Sequence, residues 1–184
     1  MADLTLLGIC GSLRAKSTNN LLMHEAARHF GPAKFIEGNI RFPLFDADDQ
    51  EATGIPAEVQ ALADQIALAD AVIVAGPEYN KGISGSLKNA LDWISRTEGN
   101  PWRDKPVAVM SAAAGGQGGA RSQEMLRWCL NPFRPRVLPG PEMMVPQTAQ
   151  QWDDDGRLTN ERGIKVLEEL MGLLRDEALR ARQG

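Results

Sequence analysis

Apolar runs alternate with helical patterns along the chain, and few folds are compatible with this alternation. The run 71–75 is apolar at every residue, which is typical of a parallel strand covered on both faces. Such runs separated by helices predict an α/β fold, with a doubly wound parallel sheet of five strands in the order 2-1-3-4-5 and helices on both faces. The predicted strands are 4–10, 33–40, 71–75, 107–112 and a fifth split into 136–138 and 143–145, and the predicted helices are 19–30, 56–69, 86–96, 120–130 and 160–182.

The length and charge of the chain limit the class of protein to which it can belong. Its 184 residues suffice for one sizeable domain, so we expect a single domain over 1–184. The net charge of −4 and the lack of a basic stretch argue against nucleic-acid binding. The N-terminus does not resemble a secretion signal, and no apolar run reaches membrane-spanning length, so we expect a soluble, cytoplasmic protein without membrane contact. Cys10 and Cys129 have no metal-ligand spacing, and we expect packed thiols.

The loop between the first predicted strand and the first predicted helix has a composition that suits an anion. It contains the hydroxyls of Ser12, Ser17 and Thr18, the amide of Asn19, the guanidinium of Arg14 and no carboxylate. The start of a helix leaves N–H groups unpaired and carries positive partial charge, which stabilises a phosphate. We therefore predict a phosphate site here, and the alternative is an ordinary helix start capped by Ser17 or Thr18.

The kind of phosphate follows from what this loop contains and lacks. It has neither of the glycine patterns that hold a nucleoside triphosphate or a dinucleotide pyrophosphate. Its hydroxyls and single arginine suit a terminal monophosphate, which accepts several separate hydrogen bonds. FMN carries such a group, and flavodoxin-like folds bind it at the first switch point of the sheet.

A second loop at the same edge of the predicted sheet suits a flat ring. It contains Pro77, Glu78, Tyr79 and Asn80, together with three glycines that permit close approach of a ligand. Tyr79 and Asn80 are candidates to line a ring and meet its polar edge. The alternative is a glycine-rich turn with an exposed tyrosine.

A third loop, 111–120, combines small side chains with four glycines. Ser111 and Gly115 are the candidate contacts, because backbone N–H groups here could stabilise charge on a reduced flavin ring. The alternative is a flexible loop without a ligand.

These loops carry the motifs of a known family. Three motifs follow one another along the chain: Gly11-Ser12-Leu13-Arg14 with Ser17 and Asn19, then Pro77-Glu78-Tyr79-Asn80, then Ser84-Gly85 with Leu87-Lys88-Asn89-Ala90-Leu91-Asp92-Trp93. In these motifs the chain resembles the NAD(P)H-dependent FMN reductases, which include chromate, quinone and azo-dye reductases. Pro43-Leu44-Phe45-Asp46 also looks like the family's loop after the second strand. The resemblance covers residues 4 to about 120.

The resemblance implies a flavodoxin-like fold, bound FMN, NADPH or NADH as co-substrate, and a homodimer or homotetramer with helix 86–96 on the interface. It places Ser12, Arg14, Ser17 and Asn19 on the FMN phosphate, with Thr18 beside them. It also places 77–80 on the ribityl chain and ring, and Ser111 with the following glycines at the far edge of the ring.

The predicted activity is oxidoreduction, with hydride passing from the nicotinamide cofactor to FMN and electrons then passing to a small molecule. The expected acceptor is a quinone, a free flavin, an azo compound or a metal oxyanion such as chromate. No catalytic side chain is predicted, because N5 of the flavin carries the chemistry. The alternatives are a flavodoxin-like electron carrier that does not oxidise NAD(P)H and a non-enzymatic flavin sensor.

Overall fold

Residues 4–183, which the computed structural model describes, form a parallel sheet with helices on both faces. The strands are β1 (Leu4–Cys10), β2 (Ala33–Gly38), β3 (Ala71–Ala75), β4 (Pro106–Ala112), β5 (Arg136–Val137) and β6 (Met143–Val145); the helices are α1 (Thr18–Phe30), α2 (Ala47–Thr53), α3 (Ala57–Leu68), α4 (Gly85–Ile94), α5 (Ala120–Leu130) and α6 (Glu161–Ala181). The strand order is β2-β1-β3-β4-β5, with β6 also paired to β4. This order confirms the predicted topology.

Two apolar layers hold the helices against the sheet. Phe30 of α1 and Leu174 of α6 belong to the layer on one face. Ile66 of α3, Leu87 of α4 and Leu126 of α5 belong to the layer on the other. None of the helices within residues 4–183 is long and apolar enough to cross a membrane. Because β3 lies between the two layers, all five of its residues are buried, which explains its uninterrupted apolar sequence.

The fifth strand is split, as the sequence predicts. β5 pairs with the first residues of β4, whereas β6 pairs with the last ones, where Met143 lies opposite Met110. Pro139 and Pro141 lie between the two segments, and a proline has no N–H to donate to a sheet. As a result, the chain leaves β6 at the carboxyl end of β4, next to the loops predicted to bind a ligand.

The sequence predicts no helix or strand between the second strand, 33–40, and the helix 56–69, which implies a loop over 41–55. This is wrong in part, because Ala47–Thr53 forms α2. None of the residues of α2 is buried, so no apolar stripe marks it in the sequence. Its ends do carry signals: the side chain of Asp46 accepts the N–H of Asp48 at 2.8 Å, and Gly54 follows with φ of 81°. The bounds of the other elements lie within about two residues of those predicted.

Candidate functional site

A cleft of about 720 Å³ opens at the carboxyl ends of β1, β3 and β4. Its volume falls within the range of small-molecule sites, about 300–1,000 Å³. Ligands of doubly wound sheets bind at this edge. The residues that line the cleft are Ser12, Arg14, Ser17, Thr18, Asn19, Pro77, Glu78, Tyr79, Ala112, Ala113, Ala114, Gln147, Thr148, Ala149 and Gln150.

The phosphate loop, residues 11–17, and the start of α1 form one end of the cleft. Ser17 caps the helix, because its Oγ accepts the N–H of Asn20 at 3.3 Å. Arg14 and Thr18 line the cleft, and within residues 4–183 their side chains make no hydrogen bond or ion pair. The first turn of α1 contains no acidic residue. The predicted phosphate site and the alternative of a capped helix thus coexist, with Ser17 as the cap and other groups free to bind an anion.

Asn19 fixes the start of α1 to the sheet. Its Nδ2 donates to the carbonyl of Ala112 at 2.8 Å, and its Oδ1 accepts the N–H of Ala112 at 2.9 Å. The side chain is buried, and its partner is 93 residues away in the sequence. Asn19 therefore holds the phosphate loop and the end of β4 at a set separation, in addition to its place in the cleft wall.

Gly11 lets the phosphate loop lie against the connection between β3 and α4. A Cβ atom there would lie 3.1 Å from the side chain of Leu87 and 3.2 Å from Cα of Gly76. The carbonyl of Gly11 accepts the hydroxyl of Ser84 at 2.5 Å and that of Ser86 at 3.0 Å. These two serines at the start of α4 anchor the loop, a role that the motif alone does not indicate.

The thiol of Cys10 lies next to the phosphate loop. Its Sγ is 3.6 Å from the carbonyl oxygen of Ser12 and 3.7 Å from Oγ of Ser17. Burial raises the pKa of this thiol above its usual range, the contacts with Ser12 and Ser17 oppose that shift, and the carboxylate of Glu37 adds to it. The raised pKa keeps Cys10 protonated at neutral pH, so it adds no negative charge beside the phosphate site.

The second loop brings three of its four predicted residues to the cleft, and Asn80 is the exception. Tyr79 and Gly82 exchange two backbone hydrogen bonds of 3.0 Å, and φ is 50° at Asn80 and 68° at Lys81. Two central residues with positive φ define a type I′ turn, in which asparagine is favoured. Asn80 therefore shapes the turn that presents Tyr79 and does not line the cleft.

Glu78 joins the second loop to the third. Its Oε2 accepts the N–H of Arg121, in the first turn of α5, at 3.1 Å. Gly119, the residue before that helix, has no side chain with which to cap it. A carboxylate at a helix start is stabilised by the unpaired N–H groups there. Glu78 thus provides the cap from another loop and fixes two walls of the cleft relative to each other.

The third loop contributes different residues from those predicted. Ser111 is fully buried, where its Oγ donates to the carbonyl of Gly118 at 2.7 Å and accepts a hydrogen bond from Nε2 of Gln123 at 2.8 Å. Neither Ser111 nor Gly115 lines the cleft, and residues 112–114 do so instead. The serine shapes the loop from inside because β4 directs alternate side chains to opposite faces.

The sequence prediction omits the last wall of the cleft, residues 147–150. They follow β6 after one residue, Pro146, and include a single 3₁₀ turn over Thr148–Gln150. The N–H of Gln147 donates to the carbonyl of Gly115 at 3.4 Å, which links this wall to the third loop. A polar segment that follows a predicted strand at the carboxyl edge of the sheet was the available signal.

The chemistry of these walls fits FMN. One end offers a guanidinium, hydroxyls and a helix start to a phosphate. Farther along, the half-exposed ring of Tyr79 and the small side chains 112–114 leave room for a flat ring. Within residues 4–183 the N–H of Ala114 makes no backbone hydrogen bond, so it is available to a polar ring edge.

A comparison with protein families decides the assignment. The family model of the NADPH-dependent FMN reductases matches residues 4–150, which include all the residues of the cleft wall. This chain belongs to that family. An NAD(P)H-dependent FMN reductase of Pseudomonas aeruginosa is 37% identical over 174 residues, covering 94% of each chain. A quinone reductase of Escherichia coli is 39% identical over 145 residues, covering 77% of each. The solved structure of FerB, a flavoenzyme NAD(P)H:(acceptor) oxidoreductase from Paracoccus denitrificans, has a TM-score of 0.86 and 32% identity, covering 96% of this chain and 98% of FerB.

Family membership confirms the predicted activity and cofactors. The chain is a flavoprotein oxidoreductase that uses FMN and NAD(P)H. Its fold is flavodoxin-like, as the strand order and the similarity to FerB together show. Its electron acceptor is a small molecule, in keeping with the relatives.

Proposed function

We propose that this reductase binds FMN along the cleft and transfers electrons from NADPH or NADH to a quinone or to free flavin. Ser12, Arg14 and Thr18 would hold the phosphate, with the start of α1 behind them. Ser17 and Asn19 would support this end as the helix cap and the link to β4. Pro77, Glu78 and Tyr79 would lie along the ribityl chain and ring on one side, with 112–114 and 147–150 on the others.

One observation carries the proposal: a single cleft joins an uncompensated cation to an aromatic wall. Arg14 has no acidic partner within residues 4–183, and Tyr79 lies in the same cleft with 47% of its surface exposed. A molecule that satisfies both ends must combine an anion with a flat ring. Flavin mononucleotide has both groups, whereas the phosphate site alone would suit any phosphorylated metabolite.

Held in the cleft by Ser12, Arg14 and Thr18, FMN would supply the two-electron redox chemistry that links NADPH or NADH to the acceptor. With a quinone as acceptor, the nucleotide, the quinone and one proton would yield the oxidised nucleotide and the quinol. The described part of the cleft wall contains one carboxylate, Glu78, which is held by the N–H of Arg121. The chain therefore binds and orients the reactants in our proposal, and the proton comes from solvent. Azo compounds and chromate are further candidate acceptors.

The direct test is to purify the protein, record its visible spectrum and add NADPH or NADH without oxygen. We expect flavin absorption bands that bleach with at least one nucleotide and return when a quinone is added. Product inhibition should follow a ping-pong pattern if both substrates use the same flavin.

Three other outcomes would contradict this proposal. Flavin bands that persist with both nucleotides would favour the electron carrier. If the purified protein retains no FMN and does not bind added FMN, the loop 11–17 is not a phosphate site. Bleaching by nucleotide without reoxidation by a quinone, a free flavin, an azo compound or chromate would refute the proposed acceptors.

We propose further that two copies of the chain associate through the exposed surfaces of α4 and α5. Trp93 of α4 is buried and donates through Nε1 to the carbonyl of Pro43 at 2.9 Å, so it belongs to the core. Trp128 of α5 is 73% exposed, and Met125 one turn earlier is 42% exposed. Large exposed apolar side chains on one helix face mark an interaction surface.

The Trp128→Arg variant tests this interface. We expect the wild-type protein to have the mass of a dimer or a tetramer by light scattering at micromolar concentration. The variant should have a smaller mass, because at least one contact between subunits is lost. Leu68→Arg is the control, because Leu68 is 77% exposed but lies on α3. A monomeric wild-type protein would refute the interface, and so would an equal effect of the two variants.

Two broader proposals complete this assignment. We propose that residues 1–184 act as one FMN-binding domain, since both apolar layers of the described residues pack on one sheet. We also propose that the protein acts in the cytoplasm, a reducing compartment in which the free thiols of Cys10 and Cys129 would persist.

A further inference from the structure

A second depression of about 330 Å³ lies beside the phosphate loop, at the carboxyl end of β2. We call it the β2 basin; its walls include Ser12, Arg14, Asn20, Glu37 and Arg41. Ser12 and Arg14 also line the large cleft, so the two depressions adjoin each other. One extended molecule could therefore occupy both.

Two arginines give the β2 basin a site for an anion. Arg41 is held in place on both sides, because its Nη2 donates to the carbonyl of Leu13 at 3.2 Å and its backbone N–H donates to Oδ1 of Asn39 at 2.9 Å. Within residues 4–183, neither Arg41 nor Arg14 forms an ion pair with a carboxylate. Each guanidinium thus keeps donors that suit phosphate oxygens.

The same basin has groups that suit the hydroxyls of a sugar. Oδ1 of Asn20 is buried and accepts no hydrogen bond from the described residues. A buried acceptor without a donor is costly, and a hydroxyl of a ligand would satisfy it. The acidic side chain of the basin, Glu37, is 3.0 Å from Nε2 of His24 and stands near the end of β2.

The position of these groups limits the class of ligand that the basin can bind. In doubly wound folds that bind dinucleotides, an acidic residue after the second strand holds the ribose 2′-hydroxyl of NADH, whereas a nearby arginine accommodates the 2′-phosphate of NADPH. In this chain the carboxylate of Glu37 lies 3.0 Å from Nε2 of His24, whereas Arg41 has no carboxylate partner within residues 4–183. The arginine is therefore the group that is free to bind the ligand. Glu37 and Arg41 stand at the corresponding end of β2. A phosphorylated ribose would meet the two arginines with its phosphate and Asn20 with a hydroxyl.

We propose that the β2 basin binds the 2′-phosphorylated adenosine end of NADPH, and that Arg41 sets a preference for NADPH over NADH. The inference rests on the proposed function, since it requires the nicotinamide end to reach the large cleft. Arg14 contributes to both depressions, whereas Arg41 lines the basin alone. Arg41 is therefore the residue to replace. Because its Nη2 also donates to the carbonyl of Leu13 in the phosphate loop, the FMN affinity of the variant is measured in parallel to show that the loop is intact.

The experiment measures binding of adenosine 2′,5′-bisphosphate and adenosine 5′-monophosphate to the FMN-loaded protein by calorimetry. We expect Arg41→Ala to lower the affinity for the bisphosphate by about tenfold to a hundredfold, which is the effect of losing a charged hydrogen bond. The affinity for the monophosphate should change much less. The ratio of kcat/KM for NADPH to that for NADH should fall with the same substitution. Arg103→Ala is the matched control, because Arg103 is an exposed arginine outside the basin.

The outcomes separate this inference from the proposed function. Equal bisphosphate affinities for Arg41→Ala and Arg103→Ala would overturn the inference, even if both nucleotides bleach the flavin. Inorganic phosphate that competes as well as the bisphosphate would overturn the adenosine assignment. If neither nucleotide bleaches the flavin, the proposed function fails, and binding of the bisphosphate that depends on Arg41 would still support a site for phosphorylated adenosine.

Discussion

Replacing Gly119 by alanine is expected to destabilise the protein by about 2 to 5 kcal/mol. Gly119 has φ of 94°, a conformation that is unfavourable for a residue with a Cβ atom. That atom would lie 2.8 Å from both Cβ and Oγ of Ser111, whose hydroxyl is fixed by Gly118 and Gln123. Because these partners are buried, the clash cannot be relieved by moving a flexible side chain. Urea unfolding of the FMN-free protein measures the change.

The control for this substitution lies in the same loop. A Cβ atom on Gly116 would meet no atom within 4 Å, so Gly116→Ala should change the free energy of unfolding by less than about 1 kcal/mol. Similar losses for the two variants would show that alanine disturbs the loop through its flexibility. In that case the contact with Ser111 would not be the cause.

Replacing Asn19 by alanine is expected to cost about 2 to 4 kcal/mol of folding free energy and to weaken FMN binding. The substitution removes two buried hydrogen bonds and leaves the N–H and the carbonyl of Ala112 without these partners. The start of α1 is then no longer fixed to β4, so the phosphate loop loses its set position relative to the third loop. Urea unfolding gives the stability, and fluorescence titration of the FMN-free protein gives the affinity.

Asn20 provides the control, since it is an asparagine in the same turn of α1 whose Oδ1 accepts no hydrogen bond from residues 4–183. Asn20→Ala should change the stability by less than about 1 kcal/mol, because no hydrogen bond of that oxygen is lost. Equal destabilisation by the two substitutions would contradict the role assigned to Asn19.

Much of the fold could be predicted because its signals are local. The uninterrupted apolar run of β3, the end of α1 at Gly31 and the prolines between β5 and β6 each act within a few residues. The exposed helix α2 was missed because its caps, and not an apolar stripe, mark it.

Part of the candidate site could be predicted in the same way. Ser12, Arg14, Ser17, Thr18 and Asn19 line the cleft because the order of strand, loop and helix already places them at a helix start. Their separate tasks were not visible, since the cap formed by Ser17 and the link from Asn19 to Ala112 depend on which atoms meet. Asn80, Ser111 and Gly115 have suitable residue types but do not line the cleft.

Local patterns and motifs of the chain were sufficient to predict the α/β topology, the edge of the sheet that carries the site, and the family to which the chain belongs. The way in which residues far apart in the chain complete the cleft became visible only in the folded molecule. The cap that Glu78 gives α5, the wall 147–150 and the β2 basin all require segments distant in sequence to meet at set distances. Periodicity and turn chemistry report on neighbours along the chain, whereas such contacts depend on the packing of every element between them.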